Sequence, residues 1–509
     1  MSPGVGVRNS PVLRELEDAV SEFELACAQE TIDPALRYFD LYALEIWFGC
    51  VPNRLRGLLG GLMARGAPEN SIVGAVHAFL LGDPMPTTLQ ATRLDDEVLP
   101  EAEPFVRMYE YRLRGDTAMA ARVGAELMSK RVQMHPVIDR RGGWNLFLSL
   151  QLGTTAMLAG DMPQALLHFA EAQIHPPAPV LRFLLREAYA KSALLEACDG
   201  DPELARDYAA HAAAISRTRS WTEPGVDAIL TVVEALLDPD LEAADRLIAT
   251  VQPGQIGEMW PFYAIARSRL LAERGAYADA ERLLALLDGM ALPRTRGIGY
   301  PGSIVALLRA SLLLGMDNAR GAEQHIVTAD PELHRTQLML ALLHLNVGQP
   351  RRALQRVLDM PESGRELRQI ALWRHGVLAA AHLRLEQRDE CHEVLQRAMA
   401  LPGRFTARDA AEFDDSVREF AVSVIPTWPE GFVASGPFAR ATAVTGKHLT
   451  EREIEVLALL ASGRSREEIA ATQFISLNTL KTQLRSVYRK LGVSQRSAAV
   501  LEAQRRGLV

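Results

Sequence analysis

The sequence predicts an all-α protein: a long series of paired helices followed by a small, separate unit of four helices. Three observations predict it. Alanine and leucine dominate a composition that is 48% hydrophobic but only 6% aromatic, the profile of closely packed helices. Between residues 105 and 400 a glycine followed five positions later by an alanine recurs between two helical runs. Near the C-terminus, Thr450 with Glu453 and Ser465 with Glu468 fit the capping-box pattern, each just ahead of an apolar periodic segment.

Residues 1–104 read as an N-terminal helical region. Met1–Asn9 is rich in Gly, Ser and Pro and is expected to be disordered. Val12–Leu81 has helical periodicity, and the aromatic-rich stretch Leu36–Val51 is expected to pack against the first helix pairs that follow. Asp83–Pro104, with its prolines and acids, reads as a loop or domain joint.

Residues 105–425 carry the repeat. Gly115 pairs with Ala120, Gly160 with Ala165, Gly200 with Ala205, Gly275 with Ala280 and Gly348 with Ala353. Weaker copies are Asp238 with Ala243, Gly315 with Ala319 or Ala322, and Glu386 with Cys391. An apolar helix precedes each turn and an amphipathic one follows, and small residues at fixed spacing let the two approach closely. Steps of 33 to 45 residues resemble tetratricopeptide repeats, though somewhat longer than the usual unit. The resemblance implies stacked helix pairs, a tetratricopeptide-like α-solenoid with an inner groove. Trp260, Tyr263, Tyr277, Trp373 and Arg374 either line that groove or belong to the core. His334, His344, His375 and His382 read as packing or surface residues of the repeat helices. Arg408–Ile425 is expected to add one more helix. Residues 426–446, rich in Pro, Gly, Ser, Ala and Thr with Trp428 and Phe432 inserted, read as a linker.

Residues 447–509 form the last unit. Its first helix is expected over Glu451–Ser462, stopped by Gly463, with Ile454, Leu457, Leu460 and Ala461 facing inward. A short second helix spans Arg466–Thr472. Ser476 caps a third that ends near Leu491, with Leu477, Leu480, Leu484, Val487 and Leu491 as its buried face. A fourth runs from Gln495 to Arg506. Between Ser476 and Arg496 there are five basic residues and no acid. A short helix, a tight turn and a basic helix make the helix-turn-helix layout, in which the second helix enters the DNA major groove N-terminal end first. Ser476, Asn478, Thr479, Lys481, Thr482, Arg485, Ser486 and Arg489 are the expected DNA contacts, with Arg466, Lys490 and Arg496 gripping phosphates.

This stretch resembles the C-terminal DNA-binding domain of LuxR-family bacterial regulators. The resemblance rests on Leu449-Thr450, Arg452-Glu453, Glu455-Val456-Leu457, Leu460-Ala461, Gly463, Ser465, Glu468-Ile469-Ala470, Ile475-Ser476, Thr479-Leu480-Lys481, Lys490-Leu491-Gly492-Val493 and Arg496. Gln473 stands where the family usually has an apolar residue, and Gln483 where it has a histidine. The resemblance implies a four-helix LuxR-type helix-turn-helix domain that binds double-stranded promoter DNA as a homodimer through its fourth helix and works with RNA polymerase.

Charge supports the division. The chain carries −8 overall, but Lys447–Val509 holds 11 Lys and Arg against 6 Asp and Glu, so the preceding body is acidic. A repeat body with such a tail resembles the large MalT-like activators, which place a nucleotide-binding domain before the repeats. Here no lysine sits in a GxxxxGK[ST] loop. The nearest, Lys130, has Ser129 and Arg131 at its flanks, and the stretch ahead of the repeats is too short for such a domain. No cofactor is expected. There is no alternation of strands and helices for a receiver domain, and Cys27, Cys50, Cys198 and Cys391 make no metal or haem motif. No secretory leader and no apolar run of about 18 residues is read, which points to the cytoplasm and no membrane. The expectation is a transcription regulator, not an enzyme, whose body senses a small-molecule or protein effector. The alternatives are a sigma-factor-like protein with a similar helix-turn-helix, and a repeat scaffold with a vestigial DNA-binding tail.

Overall fold

A sharp reversal between two helices commonly uses a residue in the left-handed region, and this sequence supplies one in several of its turns. The computed structural model describes residues 15–83, 102–129, 143–175, 179–316, 318–360, 366–429, 451–473, 475–491, 493 and 495–505. Among them all regular structure is helical. The chain forms two compact units. The first comprises Met1–Cys198, Pro202–Tyr263 and Pro293–Thr295; the second comprises Asp199–Asp201, Ala264–Leu292 and Arg296–Val509. No described helix is long and apolar enough to cross a membrane.

The first unit begins with α1 (Leu16–Cys27), α2 (Asp33–Gly49), α3 (Pro52–Ala64) and α4 (Ile72–Leu81). They enclose Phe23, Leu36, Phe39, Ile46, Leu55 and Leu59, all buried. Arg65 holds the end of α1, donating to the carbonyl oxygens of Cys27 and Glu30 at 2.7 and 3.1 Å. The aromatic stretch packs on later helices, as its composition suggests. The Phe48 ring lies 5.6 Å from Phe147 and 4.8 Å from Phe183, and Trp221 Nε1 donates to the Trp47 carbonyl at 2.7 Å.

Helix pairs follow in order: α5 (Ala102–Leu113) with α6 (Thr117–Ser129), α7 (Trp144–Ala159) with α8 (Met162–Ile174), α9 (Arg182–Asp199) with α10 (Pro202–Ala214), and α11 (Glu223–Leu237) with α12 (Leu241–Ile248). The next helix, α13 (Trp260–Glu273), precedes α14 (Tyr277–Gly289). The second unit continues with α15 (Gly299–Gly315) and α16 (Ala319–Ile326), α17 (His334–Asn346) and α18 (Pro350–Leu358), then α19 (Arg368–Arg384) and α20 (Arg388–Met399). Within the first unit α5 also touches α7. Within the second, α15 touches α17 and α17 touches α19, so first helices of successive pairs lie side by side.

The register of these pairs has a simple local cause. The residue that opens the second helix accepts a backbone bond from a small residue four positions on, and that small residue is sealed against the first helix. Asp161 with Ala165, Gln349 with Ala353 and Gln387 with Cys391 all follow this rule, and each small side chain is fully buried. It also corrects one weak copy, that with Ala243, and decides between the two alanines offered for another. The sealed residues are Ala244, after Asp240, and Ala322, after Asn318; Ala243 and Ala319 are only half-buried. Asp240 and Asn318 accept N–H bonds from the first turn of their helices, as Asp161 does. Four turn glycines, Gly115, Gly160, Gly275 and Gly348, have φ between 74° and 97°. In the α19–α20 turn the corresponding residue is Glu386, with φ of 63°, the sole non-glycine with positive φ among the described residues.

Trp260, Tyr263 and Trp373 are buried and belong to the packed interior; Arg374, ion-paired to Glu366 at 2.9 Å, and Tyr277 are half-buried. The segment expected as one closing helix is two, α21 (Ala407–Ala410) and α22 (Asp415–Val424), because Asp414 turns its carboxylate onto the Val417 N–H and starts a new helix. Trp428, expected in the linker, is 5% exposed and packs on Phe405 and Phe413 at 5.1 and 5.4 Å. Its large apolar area is sheltered by the body. Residues 430–446 of the expected linker, Phe432 among them, lie outside the described residues.

Candidate nucleic-acid interface

The C-terminal domain contains α23 (Glu451–Ala461), α24 (Arg466–Thr472), α25 (Leu477–Leu491) and α26 (Arg496–Arg505). Gly463, at φ of 85°, ends α23. The capping box that opens α24 forms in both directions. Ser465 Oγ accepts the Glu468 N–H at 3.2 Å, and Glu468 Oε2 accepts the Ser465 N–H at 2.7 Å. The Ser465 N–H, with the Ser465 hydroxyl beside it, holds the Glu468 carboxyl below the usual carboxylate range. Thr450, the expected partner of Glu453, lies outside the described residues.

Ser476 starts α25 by accepting the Thr479 N–H at 3.1 Å, and its hydroxyl lies 2.8 Å from Thr479 Oγ1. The core that fixes the helices is Val456, Leu457, Leu460, Ile469, Ala470, Leu480, Leu484, Val487, Leu491, Ala499 and Ala503. Val456 takes the place expected for Ile454 and Ala461, which are only half-buried. Leu477, expected in this core, is 44% exposed. Gln483 is half-buried, and its Oε1 has no hydrogen-bond partner among the described residues.

The expected contact residues divide. Asn478, Lys481, Thr482 and Arg485 are exposed along one side of α25, and Ser476 and Thr479 are exposed at its start. Lys481 and Arg485 make no ion pair among the described residues, nor does Arg466 at the start of α24. The Thr482 hydroxyl is turned back along the helix, donating to the Asn478 carbonyl at 3.1 Å. Ser486 is half-buried. Arg489 is part of α25, but its side chain lies outside the described residues.

Lys490 and Arg496, expected as phosphate grips, have work inside the domain. Lys490 Nζ pairs with Glu453 Oε2 at 2.6 Å, with the two side chains 17% and 9% exposed. Arg496 donates through one nitrogen to the carbonyls of Leu460 and Arg464, at 3.0 and 2.8 Å. It thereby ties the start of α26 to the end of α23 and to the turn that follows it. Charge counting registers a cation and not the direction in which its stem leaves the helix, so these internal partners are not legible in it. Leu477 was missed for a related reason: its spacing to Leu480 and Leu484 fits the core stripe, while its spacing to Lys481 and Arg485 fits the opposite one.

A capped short helix, a tight turn and a cationic helix with no acid on it are suited to phosphates and base edges. Residues 447–503 match the family of bacterial regulatory proteins, luxR family. The chain therefore carries a LuxR-type domain at its C-terminus and is a DNA-binding transcription regulator. The match spans α23, α24 and α25 and most of α26.

Proposed function

We propose that this LuxR-type regulator binds specific promoters by seating α25 in the major groove, under control of a small molecule or protein partner bound by its helical body. One observation carries the DNA part. The exposed side of α25 presents Asn478, Lys481, Thr482 and Arg485, and its two basic groups make no ion pair among the described residues. Arg466 and Arg489 complete the phosphate contacts, and Ser476, Thr479 and Ser486 act chiefly through the start and flank of the helix. Lys490 and Arg496 hold α25 and α26 on α23 and contribute to DNA only through that placement.

Consecutive helix pairs, with α5 beside α7 in one unit and α15, α17 and α19 side by side in the other, support tetratricopeptide-like packing within each unit, of the kind that flanks such domains in MalT-like activators. Polar groups set among these helices support a ligand-receiving inner face. Lys191 pairs with Glu187 at 2.6 Å and donates to Thr154 Oγ1 at 2.9 Å, while Arg112 pairs with Glu258 at 2.7 Å. Two chains on a two-fold operator are favoured by Leu501, which α26 leaves 69% exposed. Contact with RNA polymerase at the promoter and residence in the cytoplasm complete the proposal.

The test is selection of sequences by the full chain from random duplex DNA, followed by affinity measurement on the enriched site. The Lys481→Ala/Arg485→Ala variant should bind that site at least tenfold more weakly in moderate salt, with a salt slope reduced by about 2, since each phosphate contact contributes about 0.9. Unchanged affinity would remove α25 from the interface. Sedimentation of the complex should give two chains per site; one chain per site would exclude the dimer.

A further inference from the structure

We infer that Leu477 reads the methyl group of a thymine in the DNA site, an inference that rests on α25 being the helix that enters the groove. Leu477 is 44% exposed, whereas Leu480 and Leu484 on the following turns are 0% and 3% exposed. Positions four apart share a helix face, so Leu477, Lys481 and Arg485 form one exposed row, and Asn478 and Thr482 form the row beside it. Leu477 is thus the one large apolar side chain on the cationic side of α25, and it stands at the N-terminal end. In helix-turn-helix docking that end meets the base edges.

The polar groups around it are mostly engaged. The Ser476 hydroxyl accepts the Thr479 N–H and lies against Thr479 Oγ1, and the Thr482 hydroxyl donates to the Asn478 carbonyl. Hydrogen-bonding readout is left to Asn478, beside the cationic pair Lys481 and Arg485, and Leu477 offers only carbon. The major groove presents one apolar group, the C5-methyl of thymine, and a hydrocarbon side chain placed against it removes both from water. The cationic row that continues from Leu477 makes duplex DNA the occupant of this side. A solitary exposed leucine elsewhere on a surface needs no explanation; here its neighbours supply one.

The experiment uses the full chain and its selected site, with each thymine replaced in turn by deoxyuridine, which keeps the base pair and deletes the methyl. Wild type should lose about fourfold in affinity at one thymine of each half-site, the worth of one buried methyl. Leu477→Ala should bind the thymine site more weakly and show no further loss on deoxyuridine. Leu477→Met, which keeps an apolar reach, and Thr482→Ser, which removes the other nearby methyl, should both retain the deoxyuridine penalty. No methyl-dependent position, a penalty that persists in Leu477→Ala, or a penalty abolished by Thr482→Ser would each overturn the assignment. Failure to enrich any sequence would instead remove the interface reading beneath it.

Discussion

Glu453 and Lys490 show how one ion pair changes the meaning of a residue. Lys490 is the ninth residue after Lys481 in a helix that carries no acid, and on sequence grounds the two are equivalent cations. The structure pairs Lys490 with Glu453 at 2.6 Å in a partly sheltered position, so the end of α25 is tied to α23. Exposed pairs contribute about 0–1 kcal/mol, and losing one member of a buried pair costs about 3–5 kcal/mol. Lying between these limits, Glu453→Ala or Lys490→Ala should cost about 1–3 kcal/mol. Hydrogen exchange of α23 and α25 in the full chain should therefore quicken in both variants, and the double variant should lose less than the sum of the singles. If Lys490→Ala weakened DNA binding while exchange stayed at the wild-type rate, Lys490 would be a phosphate contact after all.

The helix pairs α5 to α20 show what a turn requires. Glu386 occupies, at φ of 63°, the place that glycine takes in the four well-formed turns. A non-glycine residue in the left-handed region costs about 1–2 kcal/mol, and glycine loses about 0.5–1 kcal/mol of chain entropy in return. Glu386→Gly should accordingly stabilise the second unit by about 0.5–1 kcal/mol, seen as a higher urea midpoint at unchanged slope. A lower midpoint would mean that the Glu386 side chain contributes more than its backbone costs. Gly115 cannot be exchanged so freely, since a Cβ there would fall 2.3 Å from the Arg294 Cα atom.

Across the molecule, four histidines respond to burial alike. Desolvation is the largest influence on His168, His325, His344 and His375, and it lowers the pKa of each below the ordinary 6.5. In the unfolded chain these rings take up protons as the pH falls through 6.5, while in the folded chain they resist doing so. Stability is therefore complete above pH 6.5 and is lost as the pH falls below it through the folded values. The melting temperature should fall from pH 7.5 to pH 5.5, and replacing all four by Gln should flatten that dependence. A melting temperature that rose on acidification would contradict the assignment. At the same level, an acidic body joined to a basic domain keeps DNA affinity concentrated on residues 447–509.

Periodicity, caps and glycine spacing are local quantities, and they determined what is locally decided here: the helical class, the turn positions, and the short helix, turn and basic helix of the C-terminal domain. Ser465 with Glu468 and Ser476 with Thr479 bond within three residues of each other, so no distant contact is needed to read them. Tertiary structure decided the rest. It placed Trp428 against Phe405 and Phe413, engaged Lys490 and Arg496 inside their domain, and turned Leu477 out to the face that carries Lys481 and Arg485. Each of these depends on a partner or a direction that helix spacing leaves undetermined, because a residue at the edge of an apolar stripe belongs to whichever side the neighbouring helices leave open.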